Sequence, residues 1–352
     1  MSVGIEVCVR FDMRAPELGA SRRELYAAAH DMAEFADQVG FHTLLVGEHH
    51  GTEDGYTSAP FVVAASLAAR TRSIRIRLRA VLLPLHDPVE FAEQLSTLDV
   101  LTDGRAEAVL GLGYVPAEFA MFGLDPTLRV RRLERGIEIL SAGLSGQPIS
   151  TDGRGGRISP LPVQEDLPLY LGGGVPAAAR RAARFGLGFA PHLPSPELLQ
   201  TYEAECTRRR VTGRVIANPG HYAMFVTKDP DEFWRILEPH ARHNANEYSK
   251  MAAETATTST FVPANPNDSL DDLKKRASTW VVTPDECIEL AESLAEQGGS
   301  FQFVPLLGGL APELGWSSLR LFADEVMPEL KKRDLLAAMP TRPDRSVEGE
   351  TL

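Results

Sequence analysis

Extended apolar runs and amphipathic helical segments alternate along most of the chain, and this order constrains the fold more than any other feature. Strands are expected at about residues 3–10, 43–48, 74–83, 106–111, 168–172, 187–190, 220–227 and 301–305. Helices are expected at 21–39, 59–69, 88–101, 127–144, 176–185, 196–210, 231–250, 284–297 and 312–331. Strands that alternate with helices are typical of a parallel sheet. The eight strands therefore predict an α/β fold, a (β/α)8 TIM barrel.

Two stretches fall outside this repeat. Residues 251–280 are polar and small, and they are long for a connection, so we expect an insertion before the last βα unit. This insertion is either a lid over the catalytic face or a plain surface loop. Residues 334–352 carry Pro340, Pro343 and few apolar side chains, which predicts a flexible tail. Residues 1–333 are expected to form a single domain.

Composition excludes several classes of function. A net charge of −12 and a pI near 5.3 repel phosphate backbones, so no nucleic-acid partner is expected. The three cysteines are too few and too scattered for a disulfide framework or a zinc site. His240 and His243 have no acidic or cysteine partner at ligand spacing, so we interpret them as surface residues and expect no metal. No signal peptide or apolar span of about 18 residues is present, which predicts a cytoplasmic protein without a membrane segment.

Polar side chains follow the second predicted strand directly. Glu48, His49 and His50 end the run TLLVGEHH, and in a TIM barrel the carboxyl ends of the strands form the catalytic face. Imidazoles at this edge are suited to proton transfer or to ligand contact. We select His49 as the general acid/base, oriented by His50 or Glu48. The alternatives are that Glu48 is a structural carboxylate and His50 a wall residue.

The third predicted strand alternates apolar and cationic residues, whereas barrel strands are normally apolar on both faces. We expect Arg75 and Arg77 to form ion pairs inside the barrel with acids of neighbouring strands. Arg79 lies nearest the carboxyl end and is expected close to a cofactor site. Candidate acids on the neighbouring strands are Glu6, Asp12, Glu48 and Glu107.

A glycine-rich turn is the best candidate for a phosphate site. Gly172, Gly173 and Gly174 follow a predicted strand, and a helix opens near Pro176 and continues through Ala177. Backbone N–H groups at such a turn and at a helix amino terminus converge on anions. The alternative is that the glycines form only a turn.

Several of these motifs resemble the bacterial luciferase-like family of flavin- and deazaflavin-dependent oxidoreductases. The likeness rests on GEHH at 47–50, LLPLHDPVEFAEQ at 82–94, LDVLTDGR at 98–105 and GLGYVPAEFAMFG at 111–123, with a weaker echo at 168–188. Members of that family place a non-prolyl cis peptide behind the flavin, and the resemblance puts it at Arg79-Ala80 or Ala80-Val81. It also implies cofactor contacts at Gly111 and Tyr114. The luciferase branch carries a cysteine-arginine pair where this chain has Gly111 and Leu112.

The resemblance implies a flavin-dependent monooxygenase that uses reduced FMN and O2 on a small apolar organic substrate. No GxGxxG turn follows a strand, so a separate flavin reductase is expected to supply the reduced FMN. One alternative is an F420-dependent hydride-transfer oxidoreductase of the same fold. Another is a noncatalytic partner subunit, against which the retention of both histidines argues. A metal-dependent hydrolase is disfavoured because strand one has no His-x-His.

The helix after strand two predicts the assembly. Residues 59–69, APFVVAASLAA, are apolar nearly all round, and such a helix needs cover on more than its barrel face. We therefore expect a homodimer in which this helix and the helix at 88–101 pack against their symmetry mates.

Overall fold

The computed structural model describes residues 4–151, 154–192, 195–216, 221–253, 269–276, 278–296 and 298–339. In these ranges nine strands form one parallel sheet with the order β10-β9-β11-β1-β2-β3-β4-β7-β8. They are β1 (Glu6–Phe11), β2 (Thr43–Val46), β3 (Arg75–Val81), β4 (Ala106–Leu110), β7 (Leu169–Gly173), β8 (Gly188–Pro191), β9 (Ala223–Val226), β10 (Thr279–Val282) and β11 (Ser300–Phe303). A small antiparallel hairpin joins β5 (Ile149–Thr151) to β6 (Arg154–Gly156). The predicted α/β class with a parallel sheet is confirmed.

Helices connect the strands and cover the outside of the sheet. They are α1 (Arg22–Val39), α2 (Pro60–Ala68), α3 (Pro88–Thr102), α4 (Pro116–Met121), α5 (Arg129–Leu144), α6 (Pro176–Arg184), α7 (Pro196–Arg209), α8 (Pro230–Ala253), α9 (Leu270–Arg276), α10 (Pro284–Ala295), α11 (Pro312–Leu321) and α12 (Met327–Lys332). No helix in the described part of the chain is long and apolar enough to cross a bilayer.

Local sequence signals explain where the helices begin. Ser21 and Glu24, three residues apart in the sequence, form a capping box, in which each side chain binds the other residue's backbone N–H. The Asp87 side chain accepts from the N–H groups of Val89 and Glu90, next to a proline in the first helical turn. These caps fix the residues at which α1 and α3 begin.

The two faces of β1 show how the barrel is filled. Val7, Val9 and Phe11 are fully buried in the main apolar core, which also takes in residues of the surrounding helices. The alternate residues, such as Cys8 and Arg10, lie on the opposite face because successive side chains of a strand point to opposite sides. The inside of the barrel is therefore unusually polar, and the apolar core lies mainly between strands and helices.

The structure differs from the predicted element count in the second half of the chain. The sequence predicts eight strands and an insertion at 251–280, but α9 and β10 lie within or across the end of this stretch, and β10 pairs with β9. The rest of the proposed lid, residues 254–268, lies outside the described residues. A strand of four residues carries too little periodicity to be recognised when its partner is more than 50 residues away.

The predicted tail begins with ordered residues. Ile5 pairs with Leu336 in an isolated parallel bridge, and the N–H of Ala337 donates to the Ile5 carbonyl at 3.0 Å. His42 Nε2 also lies 2.9 Å from the Ala337 carbonyl oxygen. The chain at 335–337 is therefore attached to the start of β1, contrary to the prediction, and residues 340–352 lie outside the described residues.

Candidate functional site

The predicted catalytic residues lie at the carboxyl end of β2. The strand ends at Val46, and Glu48 and His49 follow it as buried side chains, exposed by 2% and 8%. His50 is partly buried, and its ring meets that of Phe122 edge to face at 4.8 Å. The carboxyl end of β2 thus presents a carboxylate and two imidazoles in enclosed surroundings.

The partner of His49 is Glu118, a residue that the sequence pattern does not predict in the site. His49 Nδ1 lies 2.8 Å from Glu118 Oε1, and the same oxygen accepts the backbone N–H of His50 at 2.9 Å. Glu118 is 1% exposed and comes from the first turn of α4, after β4. The expectation that His50 or Glu48 orients His49 is therefore wrong.

A carboxylate bound to Nδ1 fixes the remaining chemistry of the His49 ring. It keeps a proton on Nδ1 and leaves Nε2 to accept or donate one. Nε2 makes no hydrogen bond to any residue that the structure describes. His49 is thus held by one nitrogen and open at the other, as a general acid/base requires.

Glu48 has a different set of partners. His50 Nε2 and His86 Nε2 lie 2.8 Å and 2.7 Å from its Oε1, and its Oε2 accepts the backbone N–H of Leu82. Burial raises the pKa of Glu48, but the hydrogen bonds from His50, His86 and Leu82 outweigh it and lower the pKa to about 2. Glu48 is therefore ionised and binds the loop after β3, as the structural alternative for this residue proposed.

Aromatic rings form a wall around His49. Tyr56, Tyr114 and Tyr248 meet the imidazole edge to face, with ring centroids 4.9, 5.9 and 6.0 Å away. The Tyr114 hydroxyl also lies 3.7 Å from the sulfur of Met251, close to the end of α8. The wall gives the site apolar faces with a few hydroxyl groups, a composition suited to an organic ligand.

The predicted cis peptide is present between Arg79 and Ala80. Arg79 and Ala80 are both partly accessible, whereas Val81 is fully buried in the core beneath the helices. Any contact of Val81 with a cofactor can therefore involve only its backbone. Gly111 lies against this turn, and a Cβ on it would stand 3.2 Å from Ala80 Cβ.

The arginines of β3 behave as the alternation predicts. Arg77 pairs with Glu107 and, at 3.0 Å, with Glu6, and Arg75 Nε lies 3.1 Å from Glu107. The pKa of Glu6 is lowered to about 2, because Arg77 and the Thr43 hydroxyl outweigh the cost of burial. Arg79 lies two residues further towards the carboxyl end of β3, and it forms no ion pair with the described residues.

The glycine turn has the predicted strand-to-helix geometry. β7 includes Gly172 and Gly173, and α6 begins at Pro176 without a side-chain cap on its first N–H groups. A Cβ on Gly173 would stand 2.3 Å from Ala178 Cβ, so only glycine allows the strand to pass so close to the helix. Gly174 and Ala177 remain accessible at the surface of this turn.

His240 and His243 are not the surface residues that the sequence predicted. His240 is 9% exposed and lies 2.8 Å from the Gly308 carbonyl oxygen, and His243 Nε2 lies 2.9 Å from Asp54 Oδ2. Asp54 also pairs with the buried Arg14. Within the described ranges, no group of three or more His, Cys, Asp or Glu residues is arranged to hold a metal ion.

Arg10, Arg14 and Tyr222 also lie at the site, although the sequence does not predict them there. The Arg14 guanidinium lies over the rings of Tyr56 and Tyr248, at 4.7 and 5.1 Å from their centroids, and so supports the aromatic wall. The position of Arg10 could have been inferred from the sequence, since alternation along β1 places it on the same face of the strand as Glu6. Nothing in the sequence connects Tyr222 or Tyr248 with His49.

Comparison with known proteins places this geometry in a family. Residues 6–300 match the family model described as luciferase-like monooxygenase. The 4-hydroxyprotoasukamycin monooxygenase of Streptomyces nodosus subsp. asukaensis is 28% identical over 333 residues, which cover 85% of this chain and 85% of that protein.

Two solved structures share the fold. The oxygenating constituent of 3,6-diketocamphane monooxygenase from Pseudomonas putida, in complex with FMN, has a TM-score of 0.68 at 17% identity and covers 94% of this chain and 98% of its own. An F420-dependent secondary alcohol dehydrogenase has a TM-score of 0.66 at 15% identity, with coverage of 92% and 98%. These likenesses confirm the predicted barrel architecture.

Proposed function

Because the chain belongs to the luciferase-like monooxygenase family and is an oxidoreductase, we propose that it uses reduced FMN and O2 to oxygenate a small organic substrate of mainly apolar character. The observation that carries this proposal is the His49 ring, held at Nδ1 by the buried Glu118 and facing three tyrosines. Oxygen transfer needs a proton delivered and removed at one place away from bulk water. His49 Nε2 meets that need.

The residues present fit a flavin. A planar ring needs a wall of small side chains, and Ala80, which is partly accessible, supplies one beside the Arg79-Ala80 peptide, with Gly111 packed against it. Gly172, Gly173, Gly174 and Ala177 would hold the phosphate through backbone N–H groups at the end of β7 and the start of α6. A reduced flavin held there would supply the electrons for the reaction with O2. The tyrosine wall, including Tyr114, keeps water away from His49.

The other residues of the site position His49 or contact the substrate. Glu118 orients His49, and Glu48 holds His50 and His86 at the rim of the site. His50 lines the site and contacts the substrate, and this role requires no proton transfer. His49 is the only one of these groups that we assign to the proton step.

The choice between FMN and F420 is tested by binding. An F420-dependent hydride transferase is the second candidate, because a structure with that cofactor shares the fold and because Gly111 and Leu112 replace the cysteine-arginine pair of the luciferase branch. We expect the purified protein to bind FMN more tightly than F420 when both dissociation constants are measured. Tighter binding of F420 would transfer the proposal to hydride transfer.

A separate reductase is expected to deliver the reduced FMN. We therefore expect no stoichiometric NADH oxidation by the purified protein with FMN alone, and oxidation after a flavin reductase is added. NADH oxidation without a reductase would refute this part of the proposal. The three cysteines are free and buried, which suits the reducing cytoplasm where we place the reaction.

We also propose a homodimer. Much of α2 is already covered within the chain, but Val62 of α2 and Val100 and Leu101 of α3 are 70%, 43% and 64% exposed. Apolar side chains of this size on neighbouring helices are suited to a twofold contact. Light scattering at micromolar concentration should give twice the chain mass, and a monomer mass would contradict the proposal.

A further inference from the structure

Two arginines, Arg10 near the end of β1 and Arg79 near the end of β3, lie on either side of Gly47 at the carboxyl end of the barrel strands. Arg10 Nη2 donates to the Tyr56 hydroxyl at 2.8 Å, and its guanidinium carbon lies 4.9 Å from the centre of the Tyr222 ring. A Cβ on Gly47 would stand 3.4 Å from Arg10 Nη2 and 3.2 Å from the Arg79 carbonyl oxygen, so both residues approach the same glycine.

Neither arginine forms an ion pair with the described residues, and Arg10 Nε is buried without a hydrogen-bond partner there. The nearby acids are already engaged. Asp12 accepts from the Arg14 N–H and the Tyr222 hydroxyl, and the acids deeper in the barrel, Glu6 and Glu107, pair with Arg77.

The electrostatic surroundings agree with an excess of positive charge. Burial and the neighbouring Arg77 and Arg10 lower the pKa of Arg79 to about 10. His192 at the rim keeps contact with solvent, and its pKa is lowered to about 4 by its packed surroundings and by Arg79 and Arg10. Asp12 offsets part of the Arg10 charge, but neither arginine forms an ion pair with the described residues. Positive charge that is largely withdrawn from water and lacks an ion pair is costly, so a counter-charge is expected from outside the chain.

We propose that Arg10 and Arg79 form an anion-binding subsite for a carboxylate on the organic substrate. The planar guanidinium group matches a carboxylate in geometry. The subsite adjoins the proton-handling residue, because the Tyr56 hydroxyl binds Arg10 while its ring contacts His49. The substrate would then have an apolar body against the tyrosines and an acidic end on the arginines. This inference rests on the proposed function only for the assignment of the anion to the substrate.

The anion on the two arginines could be either a substrate carboxylate or the negatively charged ring of a reduced flavin. The experiment therefore tests carboxylate binding first without flavin. Without flavin, the full-length protein is titrated calorimetrically at low salt with benzoate and octanoate, and with benzamide and octanamide as neutral counterparts. Wild type is compared with Arg79→Met, with Arg79→Lys, and with Arg23→Met as a matched control that removes an exposed arginine from α1. Circular dichroism checks the folding of each variant.

We expect at least one of the two carboxylates to bind at millimolar concentration and at least tenfold more tightly than its amide. Arg79→Met should weaken that binding at least tenfold, Arg79→Lys should weaken it less, and Arg23→Met should leave it within about twofold. Failure of both carboxylates to bind, equal affinity for the amides, or unchanged binding in Arg79→Met would each overturn the subsite.

A further arm measures the dissociation constants of oxidised and reduced FMN. Weaker binding of reduced FMN alone in Arg79→Met, with carboxylate binding unaffected, would assign the arginines to the cofactor and overturn the substrate assignment. A loss of carboxylate binding remains interpretable even if the FMN proposal fails, because the first titrations contain no flavin.

Discussion

Replacement of Glu118 by glutamine tests how much of the site depends on a charged partner for His49. Glutamine keeps the shape of the side chain and an oxygen that can accept from His49 Nδ1 and the His50 N–H. It removes the negative charge from a position that is only 1% exposed, where solvent cannot replace it. The substitution therefore changes the strength of two hydrogen bonds more than it changes their geometry.

The magnitude follows from the number and type of these bonds. A hydrogen bond to a charged group contributes about 1.5–3 kcal/mol and a neutral one about 0.5–1.5 kcal/mol. Only the bond to His49 acts on the proton step, so Glu118→Gln should raise the barrier by about 1–1.5 kcal/mol. This corresponds to a fall in kcat of about fivefold to thirteenfold. Glu118→Ala should fall further, towards the rate of His49→Ala.

The assay is substrate-dependent oxygen uptake with FMN and a saturating flavin reductase. A substrate-independent reading comes from nitrogen-15 NMR of the imidazole, which should show the proton of neutral His49 on Nδ1 in the wild type and mixed occupancy in Glu118→Ala. The double variant His49→Ala/Glu118→Gln should be no slower than His49→Ala alone, since Glu118 acts through His49. Fully additive losses, or wild-type kcat in Glu118→Gln, would refute the reasoning.

Three further predictions follow from the same contacts. His49→Ala should lower turnover by ~10² to 10⁴ and leave the dissociation constant of FMN within about threefold, whereas His50→Ala should cost less; near wild-type turnover in His49→Ala would remove the assignment. Arg77→Met breaks a buried ion pair and should lower the free energy of unfolding by about 3–5 kcal/mol in urea titrations, whereas Arg135→Met, from an exposed pair, should change it by less than about 1 kcal/mol. The folded-state pKa of Glu48, about 2, lies below its ordinary value of 4.5, so its stabilisation is present above about pH 4.5 and is lost as the pH falls towards 2. Over that pH interval, the free energy of unfolding of Glu48→Gln should therefore fall by up to about 3 kcal/mol less than that of the wild type. An identical pH dependence of the unfolding free energy in both proteins would contradict the assignment.

The sequence revealed those features that depend on near neighbours or on a repeated pattern. The cap at Ser21 involves residues three apart, and the cationic alternation of Arg75 and Arg77 shows one face of a single strand. The acids that pair with them could be proposed because β4, the adjacent parallel strand, places Glu107 opposite Arg77. Glu6 lies two strands away on β1, across β2. The position of the cis peptide came from the family resemblance, not from the local residues.

The partners inside the site could not be derived in this way. Glu118 reaches His49 from 69 residues away, through a helix of only six residues that offers too few turns for a periodic signal. Tyr248 approaches from α8, and its position depends on how the last third of the chain packs on the barrel. These contacts depend on how elements that are distant in the sequence pack against one another. A single sequence does not show that packing.

The two buried carboxylates also join separate loops of the catalytic face. Glu48, after β2, accepts the N–H of Leu82 after β3, and Glu118, after β4, accepts the N–H of His50 after β2. Three successive loops are thus connected through charged side chains, and no one of them can open without breaking a buried hydrogen bond. The amide protons of His50 and Leu82 should consequently exchange with deuterium at similar rates, as members of one cooperative unit. Loop grafting would meet the same constraint, since a transplanted segment would function only if its neighbouring loops moved with it.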